Sequence, residues 1–142
     1  MITAVLDTNV LVQGAIGSPR GASQRALRAY DAGRYRLAFS ASTLDELLAV
    51  LQVTSIRARH GWSDDQIVRF VLSLLHSADI YGGEHEVTPA LPRDLTDVKL
   101  LGVAAISKAD FLVTNDRRHL LRLKEYKKTR VVTPHHFLRE LP

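Results

Sequence analysis

The run Thr3-Ala4-Val5-Leu6-Asp7-Thr8-Asn9 sets the reading of the whole chain. Thr3–Leu6 is short, apolar and rich in residues that favour extended backbone, as a strand buried on both faces requires. An acid and two small polar residues follow directly. Toward the other end, Phe111-Leu112-Val113-Thr114-Asn115-Asp116 has the same form, an apolar run leading into an acid.

Working outward from these two runs, short apolar segments alternate with longer helical patterns. Residues 22–32 read as a helix ended by Gly33, and 36–39 as a second short strand. In 42–53, Leu44, Leu47, Leu48 and Leu51 recur at helical spacing, and Thr54–His60 reads as a brief helix broken by Gly61. Ser63-Asp64-Asp65-Gln66 is a capping box that opens a helix through Leu75, with Ile67, Val68, Val71, Leu72 and Leu75 on one face. Asp79–Tyr81 and 86–88 read as strand on either side of Gly82-Gly83. After the loop holding Pro89 and Pro92, the pattern predicts a helix over about 97–107, a strand over 111–114 and a helix from about Arg117. A last strand at 130–133 precedes a helix at 134–141 with Pro134 in its first turn. Such alternation implies an α/β fold with a mainly parallel sheet covered by helices on both faces.

Composition bounds the function. A chain of 142 residues suits a single domain, 1–142, with a core large enough to need no staples. With no cysteine, disulfides, thiolate zinc sites, iron–sulfur clusters and cysteine nucleophiles are excluded. The segment before Asp7 is too short for the apolar part of a signal peptide, and the uncharged run from Thr8 falls short of a membrane span. A soluble, cytoplasmic protein with no membrane contact is the expectation.

The formal net charge of +4 is unevenly spread. Acids outnumber bases between residues 64 and 97, and bases outnumber acids from 98 onward. Arg117, Arg118, Arg122, Lys124, Lys127, Lys128 and Arg130 form a basic run. It reads equally as a solvated helix face and turn or as a footprint for a phosphate backbone.

Ligands of open α/β sheets bind beyond the carboxyl ends of the strands. By that rule Asp7, Glu46, Asp97 and Asp116 all belong to one edge of the sheet, despite their distance in sequence. Each has a structural explanation: Thr43 and Glu46 have capping-box spacing, Asp97 and Asp116 suit helix caps, and Asp7-Thr8-Asn9 suits an Asx turn. Their conjunction needs more, because like charges held together are costly unless compensated. Magnesium or manganese is the natural compensation for carboxylates, and such ions activate water and stabilise charge on a phosphoryl group.

The same residues carry a family resemblance. Val5-Leu6-Asp7-Thr8-Asn9-Val10-Leu11-Val12 resembles the opening motif of PIN-domain ribonucleases, and Ser42-Thr43-Leu44-Asp45-Glu46-Leu47 their second. Arg93-Asp94-Leu95-Thr96-Asp97-Val98-Lys99-Leu100-Leu101 resembles the third motif of a bacterial and archaeal toxin-like (VapC-like) subgroup. Ala109-Asp110-Phe111-Leu112-Val113-Thr114-Asn115-Asp116 resembles the fourth, and the similarity continues through Arg130-Val131-Val132-Thr133-Pro134 to Phe137-Leu138. The chain departs from the subgroup at Leu95, Val98 and Asn115, none of which is one of the four acids.

The resemblance implies a three-layer α/β/α sandwich and a Mg2+- or Mn2+-dependent endoribonuclease, the toxin of a toxin–antitoxin pair. Asp7, Glu46, Asp97 and Asp116 would be its catalytic, metal-holding acids, with Asp94 a peripheral helper. RNA is the implied substrate, and a protein antitoxin and a second copy of the chain are the implied partners. Asn9 and Thr114 are polar support within their motifs and candidate substrate contacts. Arg117 and Arg118, next to Asp116, are the RNA-contact candidates by position, or else plain surface residues.

Other chemistry has less support. The six histidines show no H-E-x-x-H spacing, no Gly-x-Ser-x-Gly elbow occurs, and Gly14-Ala15-Ile16-Gly17 lacks the Gly-Lys-Ser/Thr of a phosphate loop. Trp62 reads as a packing staple. Asp7-Thr8-Asn9 loosely resembles the nucleophile motif of haloacid-dehalogenase-type phosphatases, but Asn9 stands where their second aspartate is needed. A housekeeping RNA-processing nuclease, or a non-catalytic nucleic-acid-binding module with a vestigial acidic site, are the remaining alternatives.

Overall fold

The computed structural model describes residues 1–18, 20–82 and 95–142, apart from the side chains of 95 and 96. The expected strand segment at 86–88 and the helper Asp94 lie outside the described residues.

The chain runs β1 (Thr3–Leu6), α1 (Thr8–Ile16), α2 (Ala22–Asp31), β2 (Arg36–Ser40), α3 (Ala41–Leu51), α4 (Thr54–His60), α5 (Asp64–Leu75) and β3 (Asp79–Tyr81). It continues with α6 (Leu95–Ser107), β4 (Phe111–Val113), α7 (Leu120–Leu123), β5 (Glu125–Tyr126), β6 (Thr129–Val132) and α8 (Pro134–Glu140). Among the described residues the strands form one six-stranded sheet in the order β3-β2-β1-β4-β6-β5. Every pairing is parallel except β5 with β6. In β1 and β4, Leu6 pairs with Val113, so Asp7 and Thr114 leave the sheet side by side.

Two apolar clusters cover the sheet. One gathers side chains of α1, α2, α3, α5 and α8 around Phe137, Leu11 and Leu37. The other packs Leu100, Leu101, Val103 and Ala104 of α6 with Leu120 and Tyr126 against Val5, Ala38 and Leu112. The result is the expected α/β/α sandwich, because parallel strands this apolar need helices on both faces.

Several elements differ from the sequence reading. The stretch 8–16 is a helix, where sequence suggested only a turn at its start. Val10, Leu11 and Val12 in consecutive positions hide its periodicity, and the helix is buried on nearly every side. Gly14 makes its contact with α2 close: a Cβ there would meet Leu27 Cδ1 at 2.6 Å. The box at the start of α3 joins Ser40 to Thr43, not Thr43 to Glu46.

On α5 the expected box at Ser63 and Gln66 is present, but the buried face is Ile67, Val71 and Leu74, while Val68 and Leu72 are exposed. Trp62 lies between the His60 and Phe70 rings, a packing role as expected. The helix expected from Arg117 begins only at Leu120. The basic run unfolds instead into α7, β5 and a turn, with Lys124 and Lys127 at positive φ.

Candidate metal centre

The strand order reverses direction between β1 and β4: the chain builds outward from β1 through β2 to β3, then crosses back to β4 on β1's other side. This is the crevice where open α/β sheets bind ligands. Asp7 leaves β1 there and Asp116 follows β4.

Asp7 precedes α1, its N–H donating to Val113 O (2.9 Å) and its carbonyl accepting from the N–H groups of Val10 and Leu11. The fully buried Thr114 donates its hydroxyl to Asp7 Oδ2 at 2.7 Å, and its Oγ1 accepts from the Asp116 N–H at 3.0 Å. One hydroxyl therefore fixes both acids. Burial raises the Asp7 pKa above the ordinary carboxylate value; the Thr114 hydroxyl and nearby backbone amides pull it back, and the Asp116 charge pushes it up. An ionised Asp7 is thus costly unless a cation stands close.

Asp116 Oδ1 accepts from the N–H groups of Arg118 and His119, each at 3.1 Å, so the acid that points into the crevice also organises the turn before α7. This capping explains why the helix starts late. On α6, Asp97 is buried on the same side of the sheet edge. One ligand atom each from Asp97, Asp116 and His119 lie within 4.8 Å of one another, close enough to share an ion. Glu46 stands at the rim on α3, its Oε2 3.7 Å from Lys99 Nζ, two residues after Asp97.

The fold thus brings Asp97 and Asp116, with His119, within one ion's reach. Among the described residues Asp7 is not in that group but is tied to Asp116 through Thr114, and Glu46 pairs with Lys99 of α6. Thr114 is wholly buried and committed to the two acids it joins. Asn9, Arg117 and Arg118 are exposed near the crevice mouth. Sequence reading did not single out His119 or Lys99. His119 carries a faint signal, three residues after Asp116 with its Nδ1 3.5 Å from Oδ2. Lys99 carries none, because its partner lies on another helix. The donor set, mostly carboxylate and partly buried, fits a hard divalent cation.

Comparison with known proteins bears on the fold and the family. No curated protein matches the sequence at a significant level. Among solved structures, the chain is similar to one in the crystal structure of VapBC2 from Rickettsia felis bound to a DNA fragment from their promoter. The TM-score is 0.59 at 17% identity, over 92% of this chain and 97% of that one, a likeness of fold. The family model for the PIN domain matches residues 3–118, from the first strand past the acid that follows β4. The chain belongs to the PIN-domain family.

Proposed function

We propose that this protein is a divalent-metal-dependent endoribonuclease, acting as the toxin of a toxin–antitoxin pair. The observation that carries the reading is the convergence of Asp97 and Asp116 within one ion's reach, with Thr114 joining Asp116 to the buried Asp7.

Asp7, Asp97 and Asp116 would hold Mg2+ or Mn2+, with Glu46 as a fourth acid at the rim. When bound, such an ion lowers the pKa of water and stabilises charge on the phosphoryl oxygens. The chain's own residues do the rest. Thr114 keeps Asp7 oriented, and the backbone N–H groups of Arg118 and His119 keep Asp116 aimed. Glu46, paired with Lys99, would be the further acid of the set. Exposed Arg117 and Arg118 offer charge to phosphates on either side of the scissile one.

The antitoxin is the proposed protein partner, supported by the likeness to the VapBC2 chain, and a homodimer is proposed on the family resemblance. A cytoplasmic site of action fits the RNA substrate, and among the described residues no helix is long and apolar enough to cross a membrane.

The test is cleavage of single-stranded RNA by the purified chain in Mg2+ or Mn2+, with a chelator control and with Asp7→Asn. The reading predicts cleavage that needs the ion and is lost in Asp7→Asn while the circular dichroism spectrum is unchanged. Cleavage in chelator, or full activity of Asp7→Asn, contradicts it.

A further inference from the structure

A cleft of about 700 Å3 opens beside the acidic crevice, between the outer side of α1, the first turn of α2, the 115–117 loop and the start of α8. Its lining differs sharply in chemistry from the crevice. Among the described residues it contains no carboxylate, and four of its side chains are amides: Asn9, Gln13, Gln24 and Asn115. Arg117 and the exposed His135 supply its ionisable side chains among the described residues. Three of these residues tie the cleft to the candidate metal centre, since Asn9 is two residues past Asp7 and Asn115 and Arg117 flank Asp116.

Each amide offers both a donor and an acceptor, the combination that pairs with the hydrogen-bonding edge of a nucleobase. In the free chain Gln13 Oε1 accepts a long, exposed bond of 3.5 Å from Arg59 Nη2, which a base would have to replace. Asn9 and Gln13, four residues apart on α1, stand on the same helix face. Gln24 adds an independent sign. Its Oε1 is covered yet holds no hydrogen bond. A covered acceptor left without a donor is unfavourable, so turning this amide toward a ligand breaks nothing and restores a bond. The cleft volume lies within the range of small-molecule sites and accommodates a single nucleotide. Unpaired bases of RNA are the ones whose edges can be read in this way.

We propose that this cleft receives one unpaired base of the RNA substrate next to the scissile phosphate and sets the base preference of cleavage. Gln13 and Gln24 read the base edge, and Arg117 holds the phosphate that links the base to the crevice. The inference rests on the nuclease reading for its role in cleavage, but base recognition itself is measurable without catalysis.

Binding of the four 5′-nucleoside monophosphates to the full chain is measured in chelator by NMR titration, for the native chain, Gln24→Ala and Gln13→Ala. Native protein is expected to bind one monophosphate several-fold tighter than the other three, with Gln24→Ala or Gln13→Ala levelling the four affinities. Equal affinities for all four, or no binding, overturns the proposal, as does a preference that survives both substitutions. Folding of each variant is checked by its amide spectrum, and Gln13→Ala serves if Gln24→Ala does not fold.

A second readout uses a random-sequence RNA pool in Mn2+, with the cut ends sequenced. A base preference of about tenfold at one position beside the cut is expected, flattened in both variants. Cleavage with no preference overturns the cleft's role and leaves the nuclease reading intact. Absence of all cleavage removes the nuclease reading, and the monophosphate titration then decides the cleft alone.

Discussion

Burial of the Asp7 carboxylate beside Asp116 raises its pKa above 3.8, so in metal-free protein the ionised form works against folding. The sign follows from linkage: a carboxyl whose pKa is higher folded than unfolded stabilises the fold while protonated, and that gain is lost as pH rises through the folded pKa. In chelator, thermal unfolding followed against pH should therefore show falling stability as pH rises above the ordinary aspartate range. Asp7→Asn should flatten this part of the profile, and an unchanged profile would contradict the burial account. Divalent ion reverses the effect for the native chain, by about 2.7 kcal/mol at a hundred times its Kd, and does so less for Asp7→Asn. His119 is a different case. It is mostly exposed beside Asp116, and an imidazole is a poor ligand for magnesium. His119→Ala should lower RNA cleavage in Mg2+ by no more than about tenfold, which corresponds to about 1.4 kcal/mol. Complete loss would make it an obligatory ligand.

At the scale of elements, α5 separates packing from hydrophobicity. Leu72 and Leu74 are both leucines two positions apart, but Leu74 is buried against the core and Leu72 is 59% exposed. Leu74→Ala should cost about 2–5 kcal/mol in denaturant unfolding, and Leu72→Ala less than about 0.5 kcal/mol. Equal costs would mean that Leu72 is covered in solution. The same helix shows where sequence reading stops. Its capping box and length were legible, because caps are local and use particular residue types. The choice between Leu72 and Leu74 was not, because the apolar stripe is wider than the face that meets the core. The buried strands β1 and β4 were legible as unbroken apolar runs, whereas α1 was concealed by being apolar on nearly all sides. Lys99 with Glu46, and Thr114 with Asp7, join positions far apart in sequence, and no local pattern encodes such pairs.

Across the whole molecule, the modest net charge of +4 hides a separation. Asp97 and Asp116 lie together, with Asp7 joined to Asp116 through Thr114, and Arg117 and Arg118 begin a basic stretch directly beside Asp116. Neutralising phosphates with these bases releases counterions, so RNA affinity should fall steeply with salt. Measured with the non-cleaving Asp7→Asn chain, removing Arg117 or Arg118 should reduce the slope of log affinity against log salt by about one each. An unaltered slope would place the RNA path elsewhere. Asp7 and Asp116 reach the carboxyl edge of the sheet by topology, since each follows a parallel strand, whereas Asp97 sits in the first turn of α6 and Glu46 in the second turn of α3. The central claim is that Asp7, Asp97 and Asp116, from three separate elements, hold one divalent ion. Anomalous scattering from crystals grown with Mn2+ tests it most directly. The account predicts a manganese peak within coordination distance of carboxylate oxygens from all three residues. A peak elsewhere, or none at saturating Mn2+, would contradict it.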